Sequence, residues 1–198
     1  MKFSLKSELR CRLRVFAYLL SITVLLGLNG CVSGPTVAGS ETSADGTPNW
    51  VRTGSAALRT SNDRLFHGVG TAGESSSFSL QTTTADNRAR NELARILTSY
   101  LEISSRDYIA SGKAGAGQFT PQTVSQFIEN ITDMNMRGVR IADHWRDKKS
   151  DLVYSVAEIN MQHVKETLNK VDGMHEGFKN YLLLHADSIF DQIARRGD

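Results

Sequence analysis

Few residues in this chain have the types and spacing that chemistry needs, so each set can be tested against its own requirements. Gly68-Val69-Gly70-Thr71-Ala72-Gly73 has the G-x-G-x-x-G spacing of a dinucleotide-binding turn. In that motif the glycines let the backbone approach a pyrophosphate held at a helix N-terminus. Two of its conditions fail here. Glu74-Ser-Ser-Ser-Phe-Ser79 stands between the last glycine and any helical pattern. The acid required about 20 residues further on, at the end of a second strand, has its nearest match in Glu92, inside a helical stretch. The segment therefore reads as a structural glycine strand, its glycines marking a bulge or the close passage of another backbone.

The histidines are His67, His144, His163, His175 and His185, and no pair has the HExxH spacing or a close carboxylate partner that would make a zinc site. His185 falls on the apolar stripe of the last helical segment and is expected in the core; His144 falls on the alternate face of a strand and is expected at the surface. Ser75-Ser76-Ser77 lacks the G-x-S-x-G elbow of a hydrolase nucleophile. Arg88, Arg90, Arg95 and Arg106 lie along one helical segment with Asp86 and Glu92 interleaved, which is the pattern of a solvated helix face. No catalytic residue, cofactor site or metal site is expected, and an enzyme would need His67 and His144 to converge in a polar pocket.

The most informative residue is Cys31. Lys2, Lys6, Arg10, Arg12 and Arg14 make a basic n-region, and Val15 to Leu28 is an apolar stretch broken by Ser21, Thr23 and Gly27. That is the layout of a secretory signal, and it is short for a membrane span. Leu28-Asn29-Gly30-Cys31 resembles a bacterial lipobox, after which the cysteine is acylated. Val32 stands where an inner-membrane retention signal would place Asp, so the resemblance implies the outer membrane. With Cys11 lost in the leader and Cys31 carrying lipid, the mature chain has no disulfide, thiol nucleophile or cysteine metal ligand.

At 198 residues and 40% hydrophobic composition, the chain has enough for one globular domain and too little for a multidomain enzyme. The net charge of +2 belongs to the leader: without its five cations and Glu8 the remainder carries −2. A body so near neutrality has no footprint for neutralising many phosphates, so nucleic acid is not an expected partner.

The elements that must position these residues follow from periodicity. Residues 32–48 are Gly, Ser, Thr and Pro with almost no large apolar residue, a flexible tether ended by Trp50 as an apolar anchor. Leu65 to Gly70 reads as a strand. Ala85, Ala89, Leu93, Ile96, Leu97, Tyr100 and Ile103 put a helix over about 84–108, capped by Thr84 or Asp86. A Gly-rich loop at 111–117 precedes a second helix over about 121–131. Val139, Ile141 and Trp145 alternate with Arg140, Ala142, His144 and Arg146, and a turn at 147–151 leads into Leu152 to Ile159, which predicts a hairpin. Two helical segments follow, separated by Gly173 and Gly177; the last of them is either core or a helix that fills a partner's groove. The sum is an α+β fold: a small, mostly antiparallel sheet with helices packed on one face, preceded by the signal peptide and tether.

Cys31 after a signal, Pro48-Asn49-Trp50, the strand ending Gly68-Val69-Gly70-Thr71-Ala72, and a helix with Ala85, Ala89 and Ala94 followed by a hairpin together resemble the Lpp-twenty family of small bacterial outer-membrane lipoproteins. The similarity covers residues 48–160, and this chain departs from it in the 111–117 loop and the C-terminal helical tail. The resemblance implies a non-catalytic lipoprotein that associates with itself or with envelope proteins, in a family that includes a flagellar assembly component. The chain is accordingly divided into a signal peptide (1–30), a lipidated tether (31–48), an Lpp-twenty-like α+β domain (49–160) and a helical extension (161–198). A peptidoglycan-binding lipoprotein that activates a cell-wall synthase is the alternative.

Overall fold

Local sequence signals set most of the element boundaries in the computed structural model, which describes residues 42–59, 63–112 and 119–196. Cys31, the leader, most of the tether and residues 113–118 of the Gly-rich loop lie outside the described residues. In chain order the elements are α1 (Asn49–Thr53), β1 (Ala56–Arg59), β2 (Arg64–Ala72), α2 (Phe78–Ala110), α3 (Pro121–Met136), β3 (Arg140–Asp147), β4 (Leu152–Asn160), α4 (Met161–Lys170) and α5 (Glu176–Arg196).

The long helix starts six residues earlier than its apolar stripe announces, and neither Thr84 nor Asp86 caps it. Ser77 does, its Oγ accepting from the Leu80 amide at 3.1 Å. Phe78 and Leu80 are 58% and 52% exposed, so the first turn carries no apolar face to read. The Thr84 hydroxyl instead donates back to the Leu80 carbonyl at 2.8 Å. Removing the cap with Ser77→Ala should cost about 1 kcal/mol, against a negligible change for Ser76→Ala. Urea midpoints of the two variants check this, and equal midpoints would remove Ser77 from its role. At α3, Thr120 caps and Pro121 occupies the first turn, where a missing N–H costs nothing. Asn160 caps α4 through the His163 amide.

The four strands form one antiparallel sheet in the order β1-β2-β4-β3. Along β2, Phe66, Gly68, Gly70 and Ala72 face the helices, while His67 and Val69 face the other way, the period of two that a pleated strand imposes. The predicted β3–β4 hairpin is present, closed by a turn with Asp151 at φ 52°. There the Ser150 hydroxyl and Lys149 amide hold the Asp147 carboxyl below the usual carboxylate range. The simple alternation expected in β3 is broken by a register shift between Ile141 and Asp143. One extra residue, Ala142, therefore puts Ile141 in the main core and Trp145 on the opposite face.

Helices α2 to α5 share one core with the sheet, drawn from Leu93, Leu97 and Leu101 of α2, Ile131 of α3, Val164 and Leu168 of α4, and Phe178, Leu182 and Phe190 of α5. The last helix is thus core, which decides between the two readings its sequence leaves open. Its Phe190 ring stands edge-on to Phe66 at 4.8 Å, and Asp191 takes a two-point grip from Arg64 at 2.8 and 3.1 Å. The Tyr100 hydroxyl donates to the Ala186 carbonyl, and burial pushes its phenol well above the ordinary value. His185 is half-buried against Tyr181, ring centroids 4.4 Å apart, rather than in the core. Of the two glycines expected to separate α4 and α5, only Gly173 (φ 69°) lies between them; Gly177 is inside the first turn of α5, beneath the Tyr108 hydroxyl.

The opposite face of the sheet carries a smaller cluster. Trp50, 1% exposed, packs there with Val69, Trp145, Tyr154 and Val156. The anchor expected from the sequence is in place, and order begins before it. Residues 42–48, read as tether, form a turn closed by a Thr42–Pro48 bridge, with Asp45 accepting from the Thr47 amide and pairing with Arg52 at 2.8 Å. No helix among the described residues is long and apolar enough to cross a membrane.

Candidate functional site

The G-x-G-x-x-G segment is resolved by the seam between β2 and α2. A Cβ added to Gly68 would strike the Ala89 carbonyl and the Leu93 amide, and one on Gly70 would strike the Ala89 amide and the Ala85 carbonyl. The space that a phosphate would need is filled by the flank of a helix, not presented by its N-terminus. The glycines mark close backbone passage, as expected, and β2 pairs without a bulge along its length.

Two ionic clusters occupy β4, one on each face of the sheet. On the helix side, Asp86 Oδ1 accepts from the Ser155 hydroxyl at 2.5 Å and lies 2.6 Å from His144 Nε2, whose N–H donates to it. Ser155 is fully buried, whereas the His144 side chain is 43% exposed. Serine, histidine and aspartate meet here in an order unsuited to nucleophilic attack. The serine proton is committed to the carboxylate, and no imidazole stands between them to take it. No histidine pair has a close carboxylate in sequence, and the fold supplies one to His144 from 58 residues away.

On the other face His67, Glu158 and Arg140 form a row across β2, β4 and β3, held in register as His67–Glu158 and Arg140–Glu158 pairs. His67 Nε2 lies 3.4 Å from Glu158 Oε2, and the Arg140 guanidinium donates to Oε1. His67 and Glu158 are 0% and 3% exposed, so the half-exposed Arg140 is the link between a buried carboxylate and solvent. Spacing cannot show this row, since His67 and Arg140 lie 91 and 18 residues from Glu158 in sequence and meet it only through strand pairing. His67 and His144 lie on opposite faces and do not converge.

The arginines of α2 are tied down more firmly than a solvated face requires. Arg88 donates to the Thr71 carbonyl at 2.5 Å and Arg90 to the Val139 carbonyl at 2.9 Å, so the first staples the helix to β2 and the second to the residue that leads into β3. Arg95 grips Glu92 with two bonds that hold the Glu92 carboxyl below its ordinary value. Among the described residues no three His, Cys, Asp or Glu side chains gather as a metal ion would need.

The concave surface that sequence reasoning missed lies between α2 and α3, a cleft of about 940 Å³ with a largely apolar lining and a charged rim. Its signal in the sequence is faint: Glu129 and Asp133 follow one another at helical spacing beside the stripe of Val124 and Ile128. Set against known proteins, the chain matches no protein-family model and no curated protein sequence.

Proposed function

We propose that this chain is a lipid-anchored, non-catalytic component of the bacterial outer membrane with a structural or assembly role in the cell envelope, the flagellum included. The observation that carries the reading is Leu28-Asn29-Gly30-Cys31 at the end of a basic and then apolar leader, followed by a tether that leads to a folded domain. Acyl chains on Cys31 would anchor it stably, since each buried methylene contributes about 0.8 kcal/mol and more than one chain is added. Within the domain, Ser155 is held to Asp86 between sheet and helix and Glu158 to Arg140 across strands, contacts that serve the fold. The Lpp-twenty resemblance, which rests on short motifs within 48–160, points the same way and supplies self-association or envelope proteins as partners.

Cells fed labelled palmitate provide the test. The wild-type chain is expected to take up label and fractionate with the outer membrane, and Cys31→Ser to lose the label and the membrane association together. A Cys31→Ser chain that keeps both would sink the anchor. The assembly half is read by crosslinking in intact cells. A ladder of self-adducts or envelope-machine components supports it, whereas a strictly monomeric chain, or one recovered with sacculi and cell-wall synthases, overturns it, the latter in favour of peptidoglycan binding.

A further inference from the structure

The cleft between α2 and α3 has the size of a binding site and a distinct chemical character. Its floor is made by Ser105, Val124, Ile128 and Thr132, each less than a tenth exposed. Thr98 and Thr132, hydroxyls 3.3 Å apart, narrow one end, and Phe119 stands at the other. Among the described residues the rim is acidic, with Glu102 from α2 and Glu129 and Asp133 from α3 against one cation, Arg106. Among the described residues the ion pairs are made elsewhere, and none of these three carboxylates has a cationic partner there.

An apolar trough flanked by unpaired carboxylates repels phosphate and nucleic acid and attracts a cation that has an apolar side. The two helices flank it over about 17 Å, the length of three helical turns. We infer that the cleft receives an amphipathic helix of a partner protein, laid with its apolar residues on Val124 and Ile128 and its lysines or arginines toward Glu102, Glu129 and Asp133. This is the helix-in-groove mode, with charge complementarity fixing orientation and speeding encounter. A second copy of this chain does not supply that helix from its described residues. The apolar stripes of α3, α4 and α5 are used in the core, and the large exposed apolar residues, Phe78, Leu80 and Ile109 of α2 and Leu184 of α5, do not fall in the steps of three and four that make a stripe. The inference rests on the cleft and does not depend on where in the cell the chain resides.

The probe is a fluorescein-labelled synthetic helix of about 12 residues, leucine at i, i+3, i+4 and i+7 with lysine elsewhere, titrated by anisotropy onto the full chain in phosphatidylcholine nanodiscs. Empty nanodiscs are subtracted. Saturable binding is expected, weakened about tenfold or more by Glu129→Lys/Asp133→Lys, which reverses the rim, and by Ser125→Trp, which fills the cleft from an exposed position. Glu74→Lys, an exposed charge reversal outside the cleft, should leave binding unchanged. Equal binding to wild type and both cleft variants overturns the inference, as does equal binding of a peptide with glutamate in place of lysine. A wild-type dimer that Ser125→Trp disperses would assign the cleft to a second copy. Displacement of the peptide by dodecyltrimethylammonium at lower concentration than the peptide itself requires would assign it to a small cationic amphiphile.

Discussion

Replacing Gly70 by alanine is expected to remove on the order of 4 kcal/mol of stability, a large share of what holds a domain of this size together. The added methyl has nowhere to go. Its nearest neighbours are the backbone of α2 at Ala85, Arg88 and Ala89, and backbone inside a regular helix cannot rotate away as a side chain can. Relief requires the helix to lift off the sheet. Lifting would pull Leu93 and Leu97 out of the core and break the Arg88 and Arg90 staples to Thr71 and Val139. The internal control is the third glycine of the same motif. A Cβ on Gly73 meets only Leu152 Cδ2 at 3.8 Å, an ordinary contact, so Gly73→Ala should stay within about 1 kcal/mol of wild type. Urea unfolding of the pair separates the two roles a glycine-rich strand can have. Similar losses for both variants would mean that the seam does not need its bare backbone.

The second large effect should come from Arg140→Ala, with a loss of about 2–3 kcal/mol at neutral pH. Arg140 is half-exposed, but the Glu158 carboxylate it reaches is 3% exposed and keeps only His67 for company at 3.4 Å. Removing the guanidinium leaves a carboxylate in the sheet without its strongest donor, and that desolvation is what the variant would report. Truncating the carboxylate as well should recover most of the loss, because an apolar side chain in a sheet face beside Trp50 and Val156 needs no partner. Thermal unfolding of Arg140→Ala and Arg140→Ala/Glu158→Met distinguishes the cases. A double variant less stable than the single one would show that Glu158 does more than answer Arg140.

What the sequence disclosed, and what it hid, follows from how far apart the interacting residues lie. The helix periodicities of α2 and α3, the β3–β4 hairpin and the glycine strand are local patterns, and each is present close to its predicted place. β1 and α1 escaped because four residues of a strand and five of a helix hold only two periods and little more than one, too few repeats to stand out. The Ala142 bulge escaped because an extra residue leaves the letters alternating while turning the side chains over. The ionic rows were invisible for a different reason. Asp86 reaches Ser155 across 69 residues, and His67 meets Glu158 only once β2 and β4 are paired, so neither spacing carries information. The cleft is a property of two helices at once, and a stripe on one of them reads as plain core.

The strand order has a consequence for the path by which the chain folds. β2 pairs with β4 in a register that joins Leu65 to Asn160, so the inner ladder of the sheet closes a loop containing nearly half the chain. Closing such a loop costs entropy before any of its contacts return it, which places the ladder late and makes folding slow for a protein of this length. The α2–α3 pair and the β3–β4 hairpin have no such delay. Until they meet β2, the apolar side of α2 and the hydrogen-bonding edge of β4 are both uncovered. The unfinished chain is thus most vulnerable to aggregation in the interval between synthesis of its glycine strand and arrival of the strand that flanks it.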